Sequence, residues 1–549
     1  MKISRVLFTA VAAMLIPVCV SAVDNSVKLK GNVHGTVTDT NGKPLSGVVI
    51  SDGFSAVATD AEGKYSFDRQ DASYYVFCSL PAEYEVPLRQ GQPVIYKKLD
   101  DRAKTYDFIL KPMLGGKEKS FNLFLLGDPQ SQNIHHVDRL RTEAMPDMKD
   151  YAKKQKGNCY AITLGDIGYT EGGRNTNYLL PIIRDEMSAD KAGMPVFQTV
   201  GNHDFEFAAG ALDANNPTVS IRRDRMFEAV FGPVNYSWNR GDVHFIAINN
   251  VRFMNLVKPG SYSMGISDEQ LEWIKKDLSF VPKDKLVILT AHIPFYGKKP
   301  GNGWDPDRVH EMENALEVVK VLGEFPNAYI MSGHTHTHYK NVHENGVKEY
   351  TIAALSGCWW WSRNCADGTP NGYFVCHIEG NRIRDHIYKA TGFEDDFQMR
   401  VYRGDAVYGG PVEKFAMQNG HSTLLVNVWN WEKGWLMDVY EDGKLVRTLT
   451  DPIAPSDELY PSAEGSKDWW AIGYHIGVVG RGTTGNRRDY CSRNYHMFRY
   501  DLMYPDSKVK IVVTDNYGRK FTCTHIFETA EYDAYATPPA YERDDLWLY

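Results

Sequence analysis

What this chain lacks narrows what it can be. It has no excess of positive charge: 61 Lys and Arg stand against 69 Asp and Glu, giving a net charge of −8. That removes the electrostatic footprint of a nucleic-acid-binding surface, and no nucleic-acid partner is expected. Past the first apolar stretch it has no run long and apolar enough to form a transmembrane segment. Cysteine is scarce, with eight in 549 residues, and no Cys-x-x-Cys pair announces a zinc or dithiol site. One of the eight, Cys19, lies in the N-terminal apolar run. The other seven, Cys78, Cys159, Cys358, Cys365, Cys376, Cys491 and Cys523, cannot all pair within the chain. Cys358 and Cys365 flank a loop and could form a disulfide. No Ser- or Cys-centred nucleophile motif is found. The remainder, 43% hydrophobic and 24% charged, is ordinary globular composition in a chain too long for one core.

The N-terminus reads as an export signal. Lys2 and Arg5 precede an apolar run over residues 6–20, and Val20-Ser21-Ala22 is a small-residue cleavage pattern. Residues 1–22 are therefore expected to be a signal peptide, and the mature protein periplasmic or on the cell surface. Residues 31–113 carry short alternating strands with turns about every ten residues, as at Asn41-Gly42-Lys43-Pro44. They resemble a carboxypeptidase-regulatory-like β-sandwich. Residues 119–390 alternate apolar strands with helical stretches, the signature of an α/β domain with a covered sheet. Within it Pro146 should break a helix over 137–156, and Ser267-x-x-Gln270 is a capping box opening a helix to Leu278. Residues 393–529 return to strands and suggest a second all-β domain. Its Trp429, Trp431 and Trp435 could form a sugar- or lipid-headgroup platform, but packing is the commoner use of such tryptophans. Residues 530–549 form an acidic, aromatic tail.

Five segments of the central domain share one grammar: an apolar strand followed at once by a small residue and then a metal-competent side chain. They lead to Asp128-Pro129-Gln130, Asp166-Ile167-Gly168, Asn202-His203-Asp204, His292-Ile293-Pro294 and His334-Thr335-His336. One Gly-Asp after a strand is common turn chemistry. Five in order, rich in Asp, Asn and His at the strand ends where open α/β sheets bind their ligands, point to a metal centre. His334 and His336 are two apart, so an extended segment turns both to one side. A ring of aromatic loop residues, Tyr169 and the run Trp359-Trp360-Trp361, could line a substrate pocket, since three successive tryptophans cannot all face one side of a strand. His135, Arg174, Phe205 and Trp304 also sit on loops that could border the site.

The ordered set Asp128-x-Gln130, Gly165-Asp166, Gly201-Asn202-His203-Asp204, His292 and Gly333-His334-x-His336 resembles the calcineurin-like metallophosphoesterases, in the exported bacterial form with accessory N- and C-terminal β domains. The resemblance implies an α/β (α+β) fold, a four-layer α/β/β/α double sandwich flanked by two all-β domains. It implies two divalent ions (Mn, Fe or Zn), one held by Asp128, Gln130, Asp166 and His336, the other by Asp166, Asn202, His292 and His334. It also implies hydrolysis of a phosphomonoester or phosphodiester, small or lipid-linked, by a metal-bridging hydroxide, with His203 as general acid oriented by Asp204. Two positions depart from the pattern. Gln130 stands where the family usually has His, and Tyr169 where many members carry Asp or Asn. The first motivates an alternative, a non-catalytic binding protein that keeps the fold. The natural substrate, the native metals and the oligomeric state stay open.

Overall fold

The computed structural model describes residues 32–100, 102–103, 105–170, 176–205, 224–252, 262–298, 304–305, 312–406, 420–453, 467–477 and 495–535. The expected signal peptide, Arg174, Cys491, the side chain of Trp304 and the tail beyond Tyr535 lie outside them. No helix among the described residues is long and apolar enough to cross a membrane.

The central domain is built on two sheets. The first runs in the order Val196–Phe197, Cys159–Thr163, Ser120–Leu126, Gly372–Glu379, Arg382–Ala390, its first three strands parallel. The second runs Tyr236–Arg240, Val243–Ala247, Leu286–Thr290, Asn327–Ser332, Lys348–Thr351, Tyr339–Val342, with the middle four parallel. Residues of opposite parity on a strand point to opposite faces. Accordingly Phe121 meets Phe245 of the second sheet, while Phe124 meets Tyr151 of an outer helix. Between the sheets Trp238 of the second is stacked on Phe197 of the first at 3.9 Å and on its own cross-strand partner Phe245 at 4.2 Å. Near the functional end the hydroxyls of Thr199 and Thr290 meet across the gap at 2.9 Å. The near-continuous apolar strands, such as the fully buried Leu286–Thr290, are those of sheets covered on both faces.

The helix over 137–156 is broken as Pro146 requires, but the break lies just ahead of the proline. Helix Ile134–Arg139 passes into a π-helical turn, Leu140–Ala144, before helix Met145–Lys154. Pro146 has no N–H to give and crowds the carbonyl one turn back, and the wider turn accommodates both. The Ser267–Gln270 capping box is formed reciprocally at the start of helix Asp268–Leu278.

The flanking regions are β-rich. Ahead of the central domain a three-stranded and a four-stranded sheet include the strands Asn32–Asp39, Val49–Ser51, Ala56–Ala58 and Lys64–Asp68. After it, another three-stranded and four-stranded pair includes Thr423–Asn427, Leu436–Glu441 and Val509–Thr514. The second of these regions departs from the all-β expectation. It contains the helix Trp469–Gly477, whose Trp470 and Tyr474 are buried against Phe527 and Tyr532. A segment apolar on every side is stable only when enclosed, and here the sheet Arg400–Arg403/Thr423–Asn427/Met497–Asp501 encloses it. Trp429, Trp431 and Trp435 are buried and serve packing. Among the described residues the cysteines, Cys358 and Cys365 included, are thiols rather than disulfides.

Candidate metal centre

The five strand ends converge at one edge of the sandwich. Asp128, Asp166 and Asn202 follow neighbouring strands of the first sheet, and His292 and His334 follow neighbouring strands of the second. The chain must turn sharply there, and the backbone shows it. Asp128, Gln130, Asp166, His334 and His336 all have positive φ, as do Trp359 and Trp360. Such conformations cost non-glycine residues free energy and gather where function demands a geometry. The small residues of the motif are needed for close approach. A Cβ on Gly333 would lie 2.5 Å from Asp128 Oδ2, and one on Gly201 would overlap the Asp166 amide nitrogen and Oδ1.

Asp166, His292 and His334 bring their donor atoms within 4.8 Å of one another. His292 Nε2 is the hub: 2.9 Å from Asn202 Oδ1, 3.1 Å from His334 Nδ1 and 3.2 Å from Asp166 Oδ2. Its other ring nitrogen lies 2.8 Å from the Leu164 carbonyl, which fixes the ring and keeps Nε2 toward the cluster. On the other side Gln130 Nε2 donates to the same Asp166 Oδ2 at 3.0 Å, and His336 Nε2 is 3.5 Å from Asp128 Oδ1. Asp166 therefore lies between two groups of side chains, Asp128/Gln130/His336 and Asn202/His292/His334. The donors fit cations. Gln130 Oε1 is buried with no hydrogen-bond partner among the described residues, and an orphaned buried acceptor is costly unless something positive meets it.

The electrostatics agree with such a site. Burial alone would raise Asp166, yet the charges of His292 and His203 hold its carboxyl well below the usual range. Burial disfavours charge on His292 as well, but Asp166 pulls it up to about 9. Burial and the neighbouring His292 push His334 down to about 3, leaving it a neutral imidazole. A metal-free cluster thus holds a proton where a cation would displace it.

His203 sits at the mouth. Its backbone N–H donates to Asp166 Oδ1 at 2.8 Å, and its Nε2 faces the cluster 4.0 Å from Asp166 Oδ2. The expected orienting role of Asp204 is not what the structure shows. The Asp204 carboxyl is fully buried and accepts from the backbone N–H groups of Gly168 and Gly201, both at 2.8 Å. Burial and the Asp166 charge raise it to about 8. It ties two motif loops together and makes no hydrogen bond to the imidazole. His203 is instead held through Nδ1, 3.0 Å from the Thr170 carbonyl, and by the Tyr169 ring, stacked at 4.5 Å and 19°. A backbone carbonyl leaves no trace in sequence, so this partner was not legible there.

The tryptophan run divides by role. Trp360 is buried at 1% exposure and cannot line a substrate pocket. Its Nε1 donates to the Pro129 carbonyl at 2.6 Å, and its own carbonyl accepts from the buried Arg139. It anchors the Asp128–Gln130 loop. Trp359 lies against His336 at 4.9 Å, and Trp361 meets His136 edge-on at 5.2 Å; both are half-buried. Tyr262, which carried no sequence signal, lies 6.1 Å from His334. Tyr169, Tyr262 and Trp359 are thus aromatic neighbours of the site among the described residues.

Three family models match successive parts of the chain: the N terminal of calcineurin-like phosphoesterase over residues 31–113, calcineurin-like phosphoesterase over 121–338, and the C terminal of calcineurin-like phosphoesterase over 349–521. The chain belongs to the calcineurin-like phosphoesterases. No curated protein matches it. Similar solved structures include a dimetal phosphatase from Danio rerio, at 14% identity and TM-score 0.32, covering 50% of this chain and 97% of that one. Another is a 5′-nucleotidase precursor from Thermus thermophilus, at 10% identity and TM-score 0.29, covering 73% and 88%. A third is the purple acid phosphatase PPD1 from yellow lupin seeds, at 12% identity and TM-score 0.31, covering 50% and 54%. Likenesses this distant do not bear on which reaction this calcineurin-like phosphoesterase performs.

Proposed function

We propose that the chain is an exported, dinuclear-metal-dependent phosphoesterase acting on a small or lipid-linked phosphomonoester or phosphodiester. The observation that carries this reading is Asp166, shared between two donor sets drawn from the two sheets, with the orphaned Gln130 Oε1 beside it. Asp128, Gln130, Asp166 and His336 would hold one divalent ion, and Asp166, Asn202, His292 and His334 the other. When bound, a pair of divalent ions supplies Lewis-acid stabilisation of the phosphoryl oxygens and a nucleophilic water at neutral pH.

The chain's own residues supply the rest. The Thr170 carbonyl can only accept, so the Nδ1 of His203 carries a hydrogen and a second proton enters at Nε2, the atom facing the cluster. His203 can thus give that proton to a leaving alkoxide, as a general acid must. Tyr169 keeps the ring in this plane from one face. Trp359 and Tyr262 offer apolar faces beside the donor sets, suited to a leaving group with flat or apolar parts.

The test is to load the full chain with Mn²⁺, Fe²⁺ or Zn²⁺ and assay a phosphomonoester against a phosphodiester. Activity is expected with one class at least, and His203→Ala should lower kcat by about 10²–10⁴-fold. Protein that takes up two metal equivalents yet hydrolyses no phosphoester in a broad panel refutes the proposal. Protein that takes up none supports the binding-protein alternative.

A further inference from the structure

The C-terminal region reaches the metal centre through one buried carboxylate. Asp367 lies on the loop before strand Gly372–Glu379 and is fully enclosed. Its Oδ2 accepts the backbone N–H of His338 at 2.6 Å, and its Oδ1 accepts that of Thr369 at 2.9 Å. The same Oδ2 lies 3.2 Å from Nε2 of His496, next to the C-terminal strand Met497–Asp501. His496 is fixed in turn by Asn427 of strand Thr423–Asn427, whose Oδ1 is 2.6 Å from His496 Nδ1. The Asn427 amide donates to the Asp367 carbonyl at 3.1 Å and to Asp468 Oδ2 at 2.7 Å. Asn427, Asp468, His496 and His338 are all buried.

His338 closes the loop that carries His334 and His336. Both of those residues sit at positive φ, 71° and 50°. A backbone so strained persists only where its surroundings over-determine it. Asp128 grips the near end of the loop by accepting the His334 N–H. Asp367 grips the far end. The His338 ring packs on Phe374 and Tyr388, and its backbone N–H is gripped by the Asp367 carboxylate.

We infer that Asp367 is a positioning residue through which His496 and Asn427 of the C-terminal domain set the backbone of the His334–His336 loop, so that this domain is a supporting part of the metal centre. The inference rests on the reading of the centre given above. Supporting partners of metal ligands are typically worth about 10–100-fold in metal affinity.

The experiment uses the full chain and Mn²⁺ alone as probe. Asp367→Asn keeps volume but sets an amide N–H against one of the three donors around the carboxylate. His496→Gln loosens the same node from the C-terminal side. The control is Glu432→Gln, which weakens the buried contacts of Glu432 with Lys340 and His386 between the same two regions without touching Asp367. Mn²⁺ stoichiometry and dissociation constants are measured by chelator competition, with far-UV circular dichroism and melting temperature for each variant. The two node variants should stay folded at 25 °C and bind the weaker Mn²⁺ at least about tenfold less tightly. Glu432→Gln should melt lower and bind as wild type. Node variants that bind as wild type, or a control that loses affinity in proportion to its melting temperature, overturn the inference while leaving the centre intact. If Asp367→Asn does not fold, His496→Gln decides by the same criteria. Wild-type chain that takes up no Mn²⁺ refutes the reading of the centre itself, and this inference with it.

Discussion

Tyr169 offers a sharp test of how His203 is held. Removing the ring with Tyr169→Ala deletes a stacked contact at 4.5 Å and leaves the Nδ1 bond to the Thr170 carbonyl. Aromatic pairs of this kind contribute about 0.5–1.5 kcal/mol beyond area burial, or roughly 2- to 13-fold in the fraction of molecules whose imidazole is correctly turned. Only proton delivery to the leaving group should suffer. With an alkyl phosphoester, whose alkoxide needs the proton, kcat should fall by that factor. With a nitrophenyl ester, whose leaving group departs unaided, it should barely change. Tyr169→Phe keeps the stack and should behave as wild type on both. The assay is steady-state kcat and KM over a leaving-group series with metal saturating. An equal loss across the series, or a phenylalanine variant as poor as the alanine one, would refute the reasoning.

Other perturbations have equally definite outcomes. Gly201→Ala drives a methyl into the Asp166 backbone and carboxylate; overpacking of this kind costs about 1–3 kcal/mol, and metal content should drop with it. Trp360→Phe leaves the Pro129 carbonyl without its donor, at about 1–3 kcal/mol, seen as a lower melting temperature together with weaker metal retention. The seam to the C-terminal region should be acid-labile. Glu432 is half-buried, and Lys340 and His386 hold its carboxyl well below its usual 4.5. A depressed acid contributes its stability in full above the unfolded value and loses it as pH falls toward the folded one. Melting temperature should therefore decline from pH 5 to pH 3, and Glu432→Gln should start lower and decline less. Lys340, which burial pushes down to about 8 despite the Glu432 charge, should give a slope of the same sign in alkali. There the unfolded chain binds the extra proton, so stability gains from this group between about pH 8 and the usual lysine value.

The strand-end grammar was legible because buried parallel strands must be apolar throughout, and the first polar residue after each marks its end. That fixed which side chains could meet before any geometry was known. The helix break near Pro146 and the Ser267 capping box were legible for local reasons, a missing N–H and a reciprocal side-chain spacing. What escaped was decided by contacts distant in sequence. Asp204 follows His203 directly, and adjacency suggested a partnership, but its carboxyl is taken by the N–H groups of Gly168 and Gly201. Three tryptophans in a row gave no sign that the middle one would be locked beneath Pro129 and Arg139. Helix Trp469–Gly477 looked like part of a β domain because its apolar residues surround it and show no helical stripe.

The split origin of the donors has a mechanical consequence. Asp128, Gln130, Asp166 and Asn202 ride on one sheet and His292, His334 and His336 on the other, so the distance between the two halves is set by what fills the gap. Trp238, beside its cross-strand partner Phe245 on the second sheet, meets Phe197 of the first at 3.9 Å and works as a spacer in a caliper whose jaws are the strand ends. Thinning that spacer would let the jaws close by a fraction of an ångström, too little to unfold a protein but enough to spoil a cluster whose atoms lie 2.9 to 3.2 Å apart.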